Sequence, residues 1–471
     1  MDRALRQDEA RALRRAAAHA LRYREAATGA TVPPAAGVGE MMGRFRTALH
    51  DKGMAATEVI DTIARDAEDG LNRMSSPNFY GYVMGGSHPV GVAADMMVSA
   101  WGQNAGSSFE TPAITAMERA VCDWGLDLLG LPADCGVGLV TGASVANMVA
   151  VMAARNALLA AQGWDVEAQG LHGAPEIPVL IGNDAHSAPF AALRYAGFGA
   201  ERAIRVATDD QGRIAPEPFF EALDRCKAPP LVVLQAGQIN TGAFDPFAAL
   251  IPAVRAKGGW VHVDGAFGLW LAAVPELAGR LAGVQGADSW AVDLHKWLNA
   301  PFDAGMVICR DRAPLVRSMT ARGAYLPALS DQWEPADSTP ELSRRARGVP
   351  SYAIMRHLGR AGVRALIARH CALAERAAGL LAAEPGISVL NEIHSNQVAV
   401  TFGEGAEGDA QTEAVLAHVQ KRGRVYPTHG TWRGRQIMRI SVICHATQQA
   451  DIELLAAEVI GAWRQVGKGA L

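Results

Sequence analysis

The chain has 471 residues, of which 49% are hydrophobic and 20% charged, and its formal net charge is −4. This length is too great for one simple core and predicts two or three domains. The ordinary globular composition and slight negative charge favour neither a nucleic-acid partner nor an anionic membrane surface. The six cysteines are scattered, with no C-x-x-C pair, and the thirteen histidines lack ligand spacing, so neither a disulfide framework nor a metal site is expected.

The sequence shows no pattern typical of a signal peptide or a membrane span. The charged residues Asp2, Arg3, Arg6, Asp8 and Glu9 interrupt any apolar segment of a signal peptide. No uninterrupted apolar run approaches the roughly 20 residues of a membrane span. These features, with the cysteine usage, predict a cytoplasmic protein that does not enter a membrane.

The first part of the chain, residues 1–75, is predicted to be a helical segment. A weak apolar stripe indicates a helix over 1–27, a Pro- and Gly-containing linker follows to Glu40, and two further helices reach Leu71. The segment is poor in large apolar residues. We therefore expect it to pack against the rest of the chain or against another subunit.

An alternation of strands and helices begins near residue 137. Apolar strands are predicted at Val137–Val140, Ile177–Ile181, Ala203–Val206, Leu231–Leu234, Trp260–Val263, Ser289–Leu294 and Gly305–Cys309. Helices are predicted at Val145–Ala161, Ala188–Ala196, Pro216–Cys226 and Pro246–Lys257. This order is typical of an α/β domain with a mainly parallel sheet and helices on both faces, which we place at 76–350.

A smaller α+β domain is predicted at 351–471. A long helical stretch runs from Ser343 to Ala383, and strands follow at Val389-Leu390, Gln397–Thr401 and Gln436–Val442. Helices are predicted at Gln411–Lys421 and Gln449–Val466.

The stretch Asp288-Ser-Trp-Ala-Val-Asp-Leu-His-Lys-Trp297 is the centre of the functional prediction. It reads as a buried strand that ends in the basic pair His295-Lys296. Burial disfavours an ammonium ion and lowers the pKa of a lysine, and a neutral amine can form a Schiff base with an aldehyde. A solvated surface lysine is the alternative when this stretch is considered alone.

Three other strand ends carry candidate ligands for such a cofactor. Thr141-Gly-Ala-Ser-Val-Ala-Asn147 joins a strand to a helix and could cradle a phosphate at the helix N-terminus, or be a plain turn. Asp264 ends another strand, where a carboxylate can pair with a protonated ring nitrogen or cap a turn. His186 also follows a strand, where its imidazole could stack on an aromatic ring or simply lie in a loop.

Together these motifs resemble the group II pyridoxal-phosphate-dependent amino acid decarboxylases, from about Pro77 to Thr447. The matching motifs are Asp-x-His-Lys-Trp at 293–297, His-Val-Asp-Gly-Ala at 262–266, Ala-His-Ser at 185–187 and Gln-Asn-Ala-Gly at 103–106. The resemblance implies the aminotransferase-like fold type I and pyridoxal 5′-phosphate as cofactor. It also implies a homodimer with shared active sites, in which Gln103–Phe109 or the lid crosses between subunits.

The resemblance assigns roles residue by residue. Lys296 is similar to the lysine that binds the cofactor aldehyde, Asp264 to the partner of the ring nitrogen, and His186 to the stacking histidine. Ala143, Ser144 and His295 fall where the family holds the phosphate, and Tyr325 matches the mobile-loop tyrosine that donates a proton, with Leu326 to Pro340 as the adjoining part of that loop. Apart from the resemblance, the small side chain of Ala266 leaves room for a flat ring. Candidate substrate-pocket residues are Tyr82, Gln103, Asn104 and Ser343.

Two departures from the family pattern affect these expectations. Gly237-Gln238-Ile239 replaces the Gly-Thr-Thr of many members, so a threonine hydroxyl near the cofactor is absent. Tyr82 keeps an aromatic side chain, but the Phe-Pro-Thr that follows it in animal aromatic decarboxylases is missing, so an aromatic substrate stays an open choice.

Arg433 and Arg435 could reach a substrate carboxylate or lie at a solvated hairpin tip.

The predicted reaction is decarboxylation of an L-amino acid to an amine and CO2. An aldehyde synthase or another carbon–carbon lyase on the same cofactor is the alternative. Tyr325 and His186 argue against the synthase, since members with that activity often lose one of them. A non-catalytic binding scaffold is the third interpretation, and the joint presence of Lys296, Asp264 and His186 argues against it.

Overall fold

The computed structural model describes residues 3–320 and 333–467. The predicted proton donor Tyr325 lies outside the described residues. The N-terminal segment forms α1 (Arg3–Ala26), α2 (Val38–Phe45) and α3 (Ala56–Ala67), so the predicted helices are confirmed. No residue of α2 or α3 is buried.

The large unit is a seven-stranded sheet covered by helices, with strand order β1-β7-β6-β5-β4-β2-β3. Its strands are β1 (Gly136–Val140), β2 (Val179–Gly182), β3 (Ile204–Val206), β4 (Leu231–Gln235), β5 (Trp260–Asp264), β6 (Ser289–Asp293) and β7 (Gly305–Cys309). Its helices are α4 (Pro89–Trp101), α5 (Pro112–Leu128), α6 (Ala143–Ala160), α7 (Val166–Gln169), α8 (Ser187–Tyr195), α9 (Pro216–Asp224), α10 (Phe247–Ala256) and α11 (Arg312–Met319).

The predicted parallel sheet is confirmed, with one reversed strand. Strands β3, β2, β4, β5 and β6 pair in parallel, whereas β7 runs antiparallel to both β6 and β1. Every residue of β4, β5 and β6 is buried, as expected for strands with helices on both faces. Among the described helices, α6 is long and apolar enough to cross a membrane, but 61% of it is buried and it packs on the sheet.

The long helix α12 (Gly348–Ala382) joins the large unit to a smaller one. Its backbone leaves helical geometry at Gly359, with φ 60° and ψ 178°. Buried residues up to Cys371 pack in the core of the large unit, and those from Leu373 onward pack in the core of the small unit. The predicted boundary near residue 350 therefore falls inside the first turn of a helix that serves both cores.

The small unit contains a four-stranded antiparallel sheet with the order β10-β11-β9-β8. Its elements are β8 (Ile387–Val389), β9 (Gln397–Phe402), α13 (Gly405–Arg422), β10 (Thr428–Trp432), β11 (Arg435–Ser441) and α14 (Gln449–Val466). Strand β10 was not predicted, because the run Thr-His-Gly-Thr-Trp is polar, contains glycine and lies at the sheet edge.

Candidate active site

A cavity of about 370 Å³ opens where β5 and β6 end and α6 begins. It brings together seven residues that the sequence singled out: Ala143, Ser144, His186, Asp264, Ala266, His295 and Lys296. Lys296 and Asp264 thus face the same space, as one cofactor ring held by both would require. The carboxyl edge of a parallel sheet is the usual place for a ligand in this architecture.

The positions of Asp264 and Lys296 follow from the pairing of β5 with β6. The two strands are parallel with Asp264 opposite Ala291, and Asp293 N–H donates to the Ala266 carbonyl at 2.8 Å. Beyond Asp293, the N–H groups of Leu294 and His295 both donate to the Ala304 carbonyl. The strand therefore ends in a tight turn that points Lys296 into the cavity.

The glycine- and aromatic-rich segment before α4 supports this turn from behind. Gly85 N–H donates to the His295 carbonyl at 3.2 Å, and Gly86 N–H donates to Asn299 Oδ1 at 2.7 Å. Tyr82 and Val83 adopt left-handed backbone, with φ of 56° and 57°, which costs non-glycine residues about 1–3 kcal/mol. The surrounding contacts hold the segment in this strained form against the lysine turn.

The electrostatics of Asp264 and His186 suit a cationic aromatic ring. Burial raises the pKa of the Asp264 carboxyl, and the nearby His186 and Lys296 partly oppose that rise. Loss of surrounding water lowers the pKa of His186, again partly opposed by Asp264, so the imidazole is neutral and presents an uncharged face to the cavity. A protonated ring nitrogen beside Asp264 would stabilise its carboxylate further.

The N-terminus of α6 forms the anion-binding wall of the cavity. A Cβ added at Gly142 would lie 2.8 Å from His295 Cε1 and 3.0 Å from Asp293 Oδ1, so only glycine allows this close approach of the backbone. Inside α6, Asn147 Oδ1 lies 2.7 Å from Nε2 of the buried His262 on β5. This bond anchors the helix to the sheet and thereby fixes where its first N–H groups point.

Asp293 is a site residue that the sequence analysis did not single out, although it opens the Asp-x-His-Lys motif. Its side chain is 3% exposed, and its Oδ2 lies 3.0 Å from Lys296 Nζ. Its Oδ1 accepts the Ala143 N–H at 2.5 Å and lies 3.5 Å from His295 Nε2. A carboxylate three residues before the lysine, at the end of a buried strand, was the signal available in the sequence.

Gln238 and Ile239, which replace the two threonines of the family pattern, have distinct roles. Gln238 donates through Nε2 to the Asp184 carbonyl and accepts the N–H groups of Asn240 and Thr241. It therefore links the loop that carries His186 to the loop after β4. Ile239 lines the cavity with an apolar surface instead of a hydroxyl.

The predicted substrate-pocket residues do not line this cavity. Gln103 is exposed and donates to the Trp101 carbonyl, whereas Asn104 Oδ1 accepts the Arg344 N–H at 3.0 Å. Ser343 is exposed, and Tyr82 is 49% exposed. The predicted crossing of Gln103–Phe109 or the lid between subunits stays a prediction.

Arg439 on β11 is a second residue that the sequence analysis missed. Arg433 and Arg435 are engaged elsewhere: Arg433 pairs with Asp184 at 2.9 Å and Arg435 with Asp409 at 2.7 Å. Arg439 is 8% exposed, and its buried Nε has no hydrogen-bond partner among the described residues. Arg439 is therefore a buried cation, and its charge adds to the lowering of the His186 pKa, although its side chain is not part of the cavity lining.

The residues present fit pyridoxal phosphate. Lys296 supplies an amine, Asp264 a buried carboxylate, His186 a flat neutral ring, and the α6 N-terminus with its glycine approach a cradle for phosphate. These features are complementary to an aldehyde, a ring nitrogen, an aromatic face and an anion, respectively. The fit to pyridoxal phosphate therefore rests on the chemical groups that line the cavity.

Comparison with known proteins agrees with this chemistry. The pyridoxal-dependent decarboxylase conserved domain matches residues 39–402. Tryptophan decarboxylase 1 of Oryza sativa subsp. japonica is 28% identical over 402 residues, covering 79% of this chain and 77% of that protein. Phenylacetaldehyde synthase of Arabidopsis thaliana is 24% identical over 416 residues, covering 84% of each chain.

A solved structure shows the same fold. The crystal structure of Oryza sativa TDC with PLP and tryptamine superposes with a TM-score of 0.90 at 23% identity and covers 98% of both chains. The predicted fold type I architecture is therefore confirmed. Together, the matched domain, the relatives and the cavity show that this chain belongs to the pyridoxal-dependent decarboxylase family and is a pyridoxal-phosphate-dependent amino acid decarboxylase.

Proposed function

We propose that the protein decarboxylates an aromatic L-amino acid to the corresponding amine and CO2. The observation that carries the proposal is that Lys296 and Asp264 face one cavity with the N-terminus of α6. Support for an aromatic substrate comes from the names of the curated relatives, which include tryptophan and tyrosine decarboxylases. The apolar cavity residues Phe267 and Ile239 are consistent with a large, uncharged side chain.

Each residue of the cavity has a defined task in this reaction. Pyridoxal phosphate, when bound, supplies an aldehyde for an amine and a ring that accepts the electron pair of the breaking Cα–carboxylate bond. Lys296 would provide the anchoring amine, and the backbone N–H groups at the start of α6, at Ala143 and Ser144, would hold the phosphate. The Asp264 carboxylate would keep a proton on the ring nitrogen, and the neutral imidazole of His186 would pack against the ring.

Substrate positioning and the final proton transfer fall to residues outside the cavity wall. We assign attraction of the substrate carboxylate to the buried Arg439, whose Nε lacks a partner among the described residues. Tyr325, which lies outside the described residues, is the proposed proton donor to the substrate Cα. In a Tyr325→Phe variant, we expect CO2 release with less amine and, with dissolved O2 as the oxidant, more aldehyde, ammonia and hydrogen peroxide. Unchanged amine output would contradict the role.

We also propose a homodimer with shared active sites. Support comes from large apolar side chains that remain exposed in one subunit, notably Val38 at 80%, Ile63 at 52% and Phe109 at 82%. Mixing a Lys296→Ala variant with a Phe109→Ala variant tests whether 103–109 crosses between subunits. Partial recovery of activity on mixing supports the crossing, and a monomer that stays fully active at high dilution contradicts the dimer.

We propose a cytoplasmic location, which the six free cysteines support, because thiols persist in a reducing compartment. Fractionation of source cells with an antibody to the protein tests this location. Recovery in a membrane or secreted fraction would contradict it.

The test of the reaction is a measurement of CO2, amine, aldehyde and hydrogen peroxide from each of the twenty amino acids. The proposal predicts CO2 and amine in equal amounts, with the aromatic amino acids preferred. Aldehyde and peroxide in place of amine would identify an aldehyde synthase, as some relatives are named. Preference for an acidic or small amino acid would overturn the aromatic assignment and keep the decarboxylase.

A further inference from the structure

Asp293 occupies contacts that the cofactor itself must use. Its Oδ2 lies 3.0 Å from Lys296 Nζ, the atom that joins the cofactor aldehyde. Its Oδ1 accepts the Ala143 N–H at 2.5 Å, at the helix terminus that would hold the phosphate. One carboxylate thus contacts both the covalent anchor and the anion cradle of the site.

The side chain of Asp293 has little freedom to leave these contacts. Its backbone N–H donates to the Ala266 carbonyl, and its own carbonyl accepts Trp270 Nε1–H at 2.9 Å. Its side chain is 3% exposed, and a Cβ added at Gly142 would lie 3.0 Å from Oδ1, so the space on that side is narrow. The carboxylate therefore stays beside the N-terminus of α6 when a phosphate arrives.

The charges near the N-terminus of α6 determine how this arrangement affects cofactor binding. A phosphate carries nearly two negative charges, and the Asp293 carboxylate adds another at the same helix terminus. Bonding of Lys296 Nζ to the aldehyde removes N–H donors from that nitrogen, so Asp293 loses hydrogen-bonding capacity there whether or not the nitrogen keeps its charge. Asp293 Oδ1 then relies on the α6 N-terminus and on His295 Nε2, which lies 3.5 Å away, and the phosphate needs the same groups.

We propose that Asp293 is a resident anion that competes with the cofactor phosphate for the N-terminus of α6. In the cofactor-free protein, it neutralises Lys296 and caps the helix, which stabilises that state. In the loaded protein, it repels the phosphate and so weakens cofactor binding. Asp293 is thus a positioning residue that sets how readily the cofactor exchanges.

The test compares Asp293→Asn and Asp293→Ala with Asp288→Asn in the full-length protein. Asp288 flanks the opposite end of β6 and accepts the Val261 N–H at 2.8 Å, so it is a matched aspartate away from the cavity. Dissociation constants for pyridoxal 5′-phosphate, pyridoxal and inorganic phosphate are measured by fluorescence quenching and by thermal shift. Melting of the cofactor-free variants reports folding.

Both Asp293 variants are expected to bind pyridoxal 5′-phosphate and inorganic phosphate about tenfold more tightly, because close like charges repel strongly in a site of low dielectric constant. Their affinity for pyridoxal, which lacks the phosphate, should change much less. The cofactor-free forms should melt at lower temperature than the wild type. Asp288→Asn should leave all three affinities unchanged.

Several outcomes would overturn the proposal. If both variants bind phosphate more weakly than the wild type, Asp293 supports phosphate binding and does not oppose it. If the affinity for pyridoxal rises as much as that for pyridoxal 5′-phosphate, Asp293 acts through Lys296 alone. Tightening in the asparagine variant only would reflect a new amide hydrogen bond, because alanine removes the charge without adding a donor. If Asp293→Ala does not fold, Asp293→Ser takes its place, because serine also removes the charge without adding an amide. These readouts measure binding, so they stand or fall separately from the substrate assignment.

Discussion

Replacing Arg344 by methionine should destabilise the protein strongly, because Arg344 belongs to a buried ion pair. Arg344 Nη1 lies 2.8 Å from Glu118 Oε2, and the two side chains are 1% and 0% exposed. Arg344 also donates to the carbonyl of Ala105 and, at 2.9 Å, to that of Leu139 at the end of β1. It therefore clamps the 103–106 loop to the sheet that carries the site.

The magnitude follows from what the variant leaves behind. Methionine fills a similar volume but removes the counter-charge of Glu118 and the donors to two carbonyl groups. Breaking a buried ion pair by removing one partner costs about 3–5 kcal/mol of unfolding free energy. At about 2–4 °C per kcal/mol for a domain of this size, the melting temperature should fall by roughly 10 °C.

Differential scanning calorimetry of the wild type, the two single variants and the double variant tests this reasoning, at a pH above the Glu118 pKa of about 7, so that the carboxylate is charged. Arg345→Met is the matched control, because the neighbouring Arg345 makes an exposed pair with Asp95 at 2.8 Å, which should contribute about 0–1 kcal/mol. The double variant Glu118→Gln with Arg344→Met removes the orphaned charge and should recover part of the loss. Equal melting of the Arg344 and Arg345 variants, or no recovery in the double variant, would refute the reasoning.

Two further predictions concern the carboxyl groups Glu118 and Asp264. Burial raises the pKa of Glu118 from 4.5 to about 7. The folded protein therefore holds a proton there that the unfolded chain releases, and this contribution to stability is complete below pH 4.5 and lost as pH rises through about 7. As pH rises from about 5 to 7.5, the melting temperature of Glu118→Gln should thus fall less than that of the wild type. Parallel plots of melting temperature against pH for the two proteins would contradict this. Asp264→Asn removes the charge that holds the ring nitrogen protonated, so kcat should fall by at least about 100-fold, or about 3 kcal/mol, while absorbance titration still shows bound cofactor; a kcat within a few-fold of wild type would be inconsistent with the assigned role.

The strands and helices of the large unit could be predicted because their sequence signals are strong. The strands β4, β5 and β6 are short apolar runs, and both Asp264 and Lys296 stand at or just beyond a strand end, where the parallel topology brings them together. The order and spacing of the motifs were therefore enough to predict most of the cofactor-binding residues in the cavity. The reversed direction of β7 could not be read from its apolar run, because burial on both faces looks the same in either direction.

Contacts between residues far apart in sequence were less accessible. Glu118 and Arg344 meet across 226 positions, and neither residue has a local pattern that indicates burial. Arg439 was missed because it occurs within an alternating strand, where a basic residue usually faces solvent. Asp293 was overlooked because its role depends on the distance from α6 to β6, which only the folded sheet defines.

The central claim is that the amine of Lys296 holds the cofactor. The direct measurement is reduction of the loaded protein with borohydride, followed by digestion and mass spectrometry of the modified peptide. We predict one phosphopyridoxyl group on Lys296, with the visible absorbance bleached at the same time and both signals absent in Lys296→Ala. Modification of a different lysine, such as Lys257, or an unmodified protein after reduction, would contradict the account.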